Sequence, residues 1–207
     1  MDPQDARARW DARYDKPAYH FGETPNEFLA GQADRLRRGA TALAIADGEG
    51  RNGVWLAQQG LTVTSFDISP RGVEKAKALA ARHGVALDMR LADVATWPWA
   101  PDSFDVVVAI FIQFASPALR ARIFQGIIST LKPGGLLLLQ GYTPRQLAYG
   151  TGGPPEAENM YTPELLRESF SALEIVALAE HDDTIKEGPG HDGLSALIDL
   201  VARKPSK

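Results

Sequence analysis

The chain contains no cysteine among its 207 residues, which excludes disulfide bonds, thiolate metal ligands and a cysteine nucleophile. This absence fits a reducing compartment, so we expect a cytoplasmic protein, and we predict no metal site. No apolar run is long enough to span a bilayer, and residues 106–112 form one of the longest. The first seven residues also lack the apolar core of a signal peptide. We therefore expect no membrane partner.

The chain has no excess of basic residues over acidic ones. The formal net charge is −4, whereas nucleic-acid-binding domains are usually strongly basic, so we expect no nucleic-acid partner. The hydrophobic fraction of 44% and the charged fraction of 23% are ordinary for a globular protein. The sequence has no internal repeat. Its length predicts a single domain over residues 1–207 and leaves the oligomeric state open.

Strand-like segments alternate with helix signals through the middle of the chain. The predicted strands cover residues 41–46, 61–66, 85–91, 104–110 and 136–141, and the predicted helices cover residues 51–59, 71–82 and 117–131. Ser69-Pro70 supplies an N-cap and a first helical residue. Lys132-Pro133-Gly134-Gly135 ends the last of these helices. This alternation predicts an α/β fold with a parallel, doubly wound sheet.

The two ends of the chain follow a different pattern. Residues 1–40 contain no obvious strand and are predicted to form an aromatic-rich helical cap. Residues 144–158 are predicted to form a long loop, and such loops inside compact domains are often functional. Residues 173–180 and 194–202 are predicted strands joined by a polar loop without a helix. We expect them to form an antiparallel pair at the sheet edge.

A glycine-rich turn follows the first predicted strand. Gly48 and Gly50 allow a tight turn and close approach of a ligand, and the following helix offers free N–H groups to an anion. Asp67 ends the second predicted strand, where a carboxylate can hold ribose hydroxyls. Asp93 follows the third predicted strand and could accept a hydrogen bond from an adenine amino group. Each feature alone is common in ordinary turns, but together they predict a nucleotide site.

A nucleotide site at this turn is compatible with more than one function, and two alternatives have to be considered. Gly48 to Gly53 fits G-x-G-x-x-G with an acid 19 residues after the first glycine, which is also typical of dinucleotide binding in nicotinamide-dependent oxidoreductases. The absence of an evident second domain and of a Tyr-x-x-x-Lys pair argues against this alternative. A non-catalytic nucleotide-binding regulator is the second alternative.

Several motifs resemble those of class I S-adenosylmethionine-dependent methyltransferases. They are the segment from Asp93 through Trp97-Pro98 and Ser103-Phe104-Asp105 to Val108, and the turn Leu131-Lys132-Pro133-Gly134-Gly135. The Gly50-Arg51-Asn52 sequence and the ending Ala196 to Lys204 are most similar to the tellurite-resistance-type branch. The resemblance covers roughly residues 40 to 203. It implies a Rossmann-like core over residues 41–203 with about seven strands, mostly parallel, and an antiparallel C-terminal strand.

The resemblance also implies an activity and a cofactor. The chain would transfer a methyl group from S-adenosylmethionine to an acceptor by in-line displacement. The family usually has an acid two residues before the first motif glycine, whereas this chain has Ala44 and Ala46 there. We therefore predict that Asp47 binds the cofactor ammonium, directly or through water, with a solvent-exposed acid near the helix N-terminus as the alternative. Arg51 either pairs with the cofactor carboxylate or is a surface residue of the first helical turn. The predicted cofactor residues are Ala46, Asp47, Gly48, Glu49, Gly50, Arg51, Asn52, Asp67, Ile68, Ala92, Asp93, Val94 and Ile110, of which Ile110 is expected near the sulfur.

The motifs do not identify the methyl acceptor, for which a small molecule is expected. The candidate substrate residues are Tyr19, Phe21, Gln113 and Tyr149. No general base can be named, and a soft sulfur, selenium or tellurium anion would need none, whereas an oxygen or nitrogen acceptor often would. Residues 1–30 and 144–160 are predicted to cover the site.

Overall fold

The computed structural model describes residues 3–206. Residues 1 and 2 of the predicted cap, and residue 207, lie outside the described residues. The chain forms two compact units. The first comprises the described part of Met1–Trp97 together with Glu187–Gly190, and the second comprises Pro98–Lys186 together with the described part of His191–Lys207. The single domain remains a prediction.

The first unit contains three parallel strands and the helices around them. Strand β1 (Thr41–Ile45) pairs with β2 (Thr62–Asp67), and β2 pairs with β3 (Asp88–Leu91). The helices are α1 (Pro3–Tyr14), α2 (Glu27–Ala30), α3 (Arg51–Gln58) and α4 (Pro70–Arg82), with a 3₁₀ turn at Ala33–Arg35. In the predicted cap, residues 3–14, 27–30 and 33–35 are thus helical, whereas residues 15–26 form turns and bends. The first strand begins at the predicted position.

Helix α4 begins as its sequence predicts. The Ser69 hydroxyl accepts a 3.0 Å hydrogen bond from the Gly72 amide, and Pro70 is the first helical residue. Strand β3 is shorter than predicted, because Val85 and Leu87 pack outside the strand against a core of Val54, Leu79 and Ala80. The apolar residues before β3 therefore fill a helix-lined core instead of continuing the strand.

The second unit contains the remaining four strands. They are β4 (Phe104–Ile110), β5 (Leu131–Tyr142), β6 (Glu174–Lys186) and β7 (Asp192–Arg203), and the helices are α5 (Pro117–Thr130), α6 (Gln146–Tyr149) and α7 (Pro163–Ser169), with a 3₁₀ turn at Ala157–Asn159. Strand β5 starts five residues earlier than predicted. Leu131 pairs with Phe104, the register shifts, and regular pairing resumes at Leu136 opposite Val106. The Pro-Gly-Gly turn is therefore an irregularity inside β5.

The strand order is β3-β2-β1-β4-β5-β7-β6. Strands β4 and β5 are parallel, whereas β7 runs antiparallel to both β5 and β6. The predicted α/β fold with about seven strands and an antiparallel C-terminal strand is confirmed. The predicted antiparallel pair is confirmed as well, with β6 as the outer strand. Within residues 3–206, every helix is too short or too polar to cross a membrane.

Candidate functional site

The glycine-rich turn between β1 and α3 has an unusual backbone. Ala46, Gly48 and Gly50 have φ values of 47°, 57° and 89°, in the left-handed region. Glycine adopts this region freely, but alanine does so at a steric cost. Gly50 is the N-cap of α3 and lets the chain enter the helix directly. Non-glycine strain of this kind clusters at binding sites, so the backbone supports the predicted location of the site.

Asp67 ties this turn to the start of α4. Its carboxylate accepts hydrogen bonds from the Gly48 amide at 2.8 Å and from the Ser69 amide at 2.9 Å. The residue is 5% exposed. Burial raises the pKa of Asp67 to about 6, although the backbone hydrogen bonds act in the opposite direction. Asp67 is thus a buried acid at the carboxyl end of β2, where the sequence predicts it.

Asp47 is the second acid of the turn. Its Oδ2 atom accepts hydrogen bonds from the Gly53 amide at 3.0 Å and from the Ser65 hydroxyl at 2.9 Å. Burial raises the pKa of Asp47 to about 7, and these two hydrogen bonds lower it. The side chain therefore bridges the first turn of α3 and strand β2.

Glu49 points toward the N-terminal segment of the chain. Its carboxylate accepts a 2.6 Å hydrogen bond from the His20 amide and forms an ion pair with Lys75. The Lys75 ammonium also donates to the carbonyl groups of Lys16 and Ala18, each at 2.9 Å. Glu49 is therefore engaged within the first unit, in contacts that hold residues 16–20 against α4.

Arg51 and Asn52 have buried partners of their own. The Arg51 Nη2 atom donates to Glu187 Oε2 at 2.6 Å, and both side chains are at most 7% exposed. The Asn52 side-chain Oδ1 atom accepts a 3.0 Å hydrogen bond from the backbone N–H of Asn26. Arg51 is thus not a surface residue, and that alternative is wrong.

Aromatic residues of the N-terminal segment pack against the turn. A Cβ atom at Gly48 would lie 2.6 Å from the Tyr14 hydroxyl oxygen, so this position requires glycine. Burial, together with the nearby Asp67 and Glu49, raises the pKa of Tyr14 well above its usual range. Phe21 lies 6.5 Å from Tyr14 between ring centroids. Tyr19 donates its hydroxyl proton to the Lys75 carbonyl at 3.0 Å, so its polar end is used to hold α4.

The predicted adenine-side residues follow neighbouring strands. Asp67 pairs with Leu91 in the β2–β3 register, and the Ala92 amide donates to the Asp67 carbonyl at 2.9 Å. Asp93 accepts a 2.8 Å hydrogen bond from the Ala95 amide. Asp67, the half-buried Ile68, Ala92, Asp93 and the buried Val94 thus lie at or just beyond the ends of the paired strands β2 and β3.

The second unit contains the remaining predicted residues. Ile110 is the last residue of β4. The buried Gln113 side chain accepts from the Tyr142 amide at 2.6 Å and donates to the Tyr142 carbonyl at 2.8 Å. The Tyr149 hydroxyl donates to Asp182 at 2.9 Å. Gln113 therefore fixes the end of β5, and Tyr149 fixes the end of α6 to β6.

The sequence did not single out Tyr14, Asn26 or Glu187 as site residues. A second group of aromatic rings follows β4 and β5, where the Phe111 ring lies 4.3 Å from His191 and 4.7 Å from Tyr142 between centroids. Phe111 also has a positive φ of 52°. Only the spacing of these aromatic residues from strand ends could have pointed to this group, because their contacts are long-range.

Part of the chain matches a known protein family. Residues 42–135 match the family model described as a methyltransferase domain. This range starts within β1 and ends within β5, and it includes the glycine-rich turn, Asp67 and Asp93.

Curated relatives share about 30% identity over part of the chain. An uncharacterized methyltransferase of Synechocystis is 31% identical over 124 residues, which is 58% of this chain and 52% of the relative. The methyltransferase GfsG of Streptomyces halstedii is 30% identical over 126 residues, 59% of this chain and 45% of that protein. An uncharacterized protein of Mycobacterium tuberculosis is 31% identical over 51% of this chain and 38% of its own length. The chain thus spans about half the length of the curated relatives that it matches.

Solved structures share the fold at low identity. The N-methyltransferase NodS of Bradyrhizobium japonicum, solved with S-adenosylhomocysteine, has a TM-score of 0.71 and 13% identity and covers 97% of this chain and 98% of its own. TehB of Haemophilus influenzae has a TM-score of 0.70 and 16% identity over 96% of this chain and 66% of its own. The chain is thus similar to a methyltransferase domain in sequence over residues 42–135 and shares its fold with these solved structures over nearly its whole length.

Proposed function

We propose that the chain binds S-adenosylmethionine at the glycine-rich turn and transfers its methyl group to a small-molecule acceptor. The observation that carries this proposal is the buried Asp67 carboxylate held beside the Gly48 backbone at the end of β2. Carboxylates at this position of open α/β sheets hold ribose hydroxyls. The names of the Synechocystis and Streptomyces relatives support the same activity.

The polar groups of the first unit fit this cofactor. The Arg51 Nη1 atom is buried and has no hydrogen-bond partner among the described residues, and it lies on the first residue of α3, so it suits a carboxylate. Asp67 would hold the ribose, Asp93 the adenine amino group and Asp47 the ammonium. The backbone of Ala46, Gly48 and Gly50 would lie alongside the methionine part of the cofactor. Ile68, Ala92 and Val94 would lie near the adenine. Glu49 and Asn52 would contribute indirectly, by holding the segments around His20 and Asn26 in place. Ile110 remains expected near the sulfur.

When bound, the cofactor supplies a methyl group already activated on a sulfonium. The chain's own residues then have to orient this group and keep water away from it. Tyr14 and Phe21 are suited to exclude water, because they pack beside the turn. Transfer by in-line displacement would require the acceptor atom opposite the sulfur, and no residue is assigned as a general base.

Binding measurements distinguish this proposal from its two alternatives. We expect S-adenosylhomocysteine to bind in calorimetry and to raise the melting temperature by mass action. A clear shift with NAD and none with millimolar S-adenosylhomocysteine would favour the oxidoreductase. Cofactor binding without methyl transfer over a panel of thiol, selenol, amine and phenol acceptors would favour the regulator. The cytoplasmic location is also part of the proposal, and cell fractionation tests it.

A further inference from the structure

Residues Glu187–Gly190 belong to the first unit and contribute a buried carboxylate to it. Glu187 is 4% exposed. Its Oε1 atom accepts hydrogen bonds from Asn26 Nδ2 at 3.0 Å and from the Glu27 amide at 3.1 Å. Its Oε2 atom accepts the 2.6 Å hydrogen bond from Arg51 Nη2. An ionised side chain is costly to bury, and these contacts offset that cost.

The ion pair with Glu187 fixes the orientation of Arg51. A guanidinium group is planar, so a short hydrogen bond at Nη2 also determines the direction of Nη1. Nη1 is buried without a hydrogen-bond partner among residues 3–206. A charged donor in that state is unfavourable until an acceptor reaches it. The arrangement therefore presents one fixed, unused donor beside the N-terminus of the eight-residue helix α3.

The neighbouring acids have other partners. Glu49 is engaged by the His20 amide and Lys75, and Asp47 is engaged by Gly53 and Ser65. Asp47 lies close enough to Arg51 for the positive charge to lower the pKa of its carboxyl. Of these acids, Glu187 is the one whose carboxylate oxygen accepts a hydrogen bond from Arg51.

We propose that Glu187 is a positioning residue, which aims Arg51 Nη1 at the carboxylate of the cofactor's methionine part. The proposal rests on the proposed function. Glu187 has two opposing effects on this carboxylate. It neutralises Arg51, which weakens attraction, and it fixes the donor, which lowers the cost of ordering it on binding. We expect orientation to be the larger effect, because the short, buried contact with Glu187 holds the guanidinium in one orientation.

The test compares two ligands that differ in the amino-acid part. S-adenosylhomocysteine carries the carboxylate, whereas 5′-methylthioadenosine keeps the adenine, ribose and sulfur and lacks it. In Glu187→Gln, the amide oxygen can still accept from Asn26 and Glu27, but the amide nitrogen then faces another donor at Arg51. We expect the Kd for S-adenosylhomocysteine to rise at least tenfold and the Kd for 5′-methylthioadenosine to change less than twofold.

Two controls separate positioning from general damage. Glu23→Gln removes a half-exposed carboxylate paired with Arg82 in the same unit, and both Kd values should stay unchanged. The affinity ratio is the affinity for S-adenosylhomocysteine divided by the affinity for 5′-methylthioadenosine. Arg51→Met should lower this ratio, and adding Glu187→Gln to Arg51→Met should not lower it further. If Glu187→Gln does not fold by circular dichroism, Glu187→Asp keeps the charge, retracts the carboxylate and should still reduce the ratio.

The outcomes are distinct. An unchanged ratio in folded Glu187→Gln or Glu187→Asp would overturn the positioning role, and so would tighter S-adenosylhomocysteine binding, which would mean that neutralisation dominates. If the unaltered chain bound neither ligand, the proposed function would fail, and this proposal would fail with it.

Discussion

Replacing Asp47 by asparagine should make the ligand-free protein more stable above neutral pH. Both hydrogen bonds to this residue go to Oδ2, so the asparagine oxygen can keep them. The substitution removes a carboxyl group whose pKa is raised from 3.8 to about 7, with burial as the largest cause. Burial thus opposes ionisation in the folded chain, whereas the unfolded chain ionises normally.

The sign and size follow from proton linkage. The folded state holds the Asp47 proton more tightly than the unfolded chain, so stability falls as pH rises from about 4 to about 7. The difference in pKa corresponds to about 4 kcal/mol. Asp47 is partly exposed, so we expect a gain of about 2 kcal/mol at pH 8, or a rise in Tm of about 4–8 °C.

Thermal and urea unfolding at pH 4, 6 and 8 would measure this gain. It should be small at pH 4 and largest at pH 8. Asp88→Asn is the matched control, because hydrogen bonding to Arg90 lowers the pKa of Asp88, so this variant should not gain stability at pH 8. A pH-independent difference between Asp47→Asn and the unaltered chain would refute the reasoning.

Three further predictions concern other buried groups. Asp67→Ala should weaken S-adenosylhomocysteine binding at least tenfold, or ~1.4 kcal/mol, in calorimetry, and unchanged affinity in a folded variant would assign Asp67 to the turn alone. Gly126→Ala should lower Tm, because the added Cβ would overlap the Trp99 ring, whereas Gln125→Ala on the exposed face of the same helix should not. Tyr161→Phe should keep or raise the urea midpoint, since the hydroxyl is buried without a partner among the described residues, and a loss above about 1 kcal/mol would contradict this.

Local chemistry accounts for the correctly predicted part of the fold. Ser69 and Pro70 begin α4 as expected, and the continuous apolar run of β4 has the predicted bounds Phe104–Ile110. Such signals depend on residues close in sequence. The length of β3 could not be predicted in this way, because apolar residues such as Val85 and Leu87 suit either a strand or a helix-lined core. Only their packing against α3 and α4 shows that they belong to the core.

In the candidate site, too, the features set by neighbouring residues could be predicted and the long-range contacts could not. The glycine pattern predicts a strained turn with backbone groups open to a ligand, and Ala46, Gly48 and Gly50 have that backbone. The sequence cannot say what the intervening side chains contact. Glu49 contacts His20, which lies 29 positions earlier, and Arg51 contacts Glu187, which lies 136 positions later.

Arg51 shows why composition misleads here. The first turn of a helix is usually solvated, and the segment Lys186-Glu187-Gly188-Pro189-Gly190 has the polar, glycine-rich composition of an exposed loop. Two segments that each look exposed are buried against each other, because a carboxylate oxygen of one accepts a hydrogen bond from the guanidinium Nη2 of the other. The loop motif thus predicts where a ligand approaches. Which side-chain atoms remain for that ligand is decided by tertiary contacts, and for Arg51 they leave Nη1.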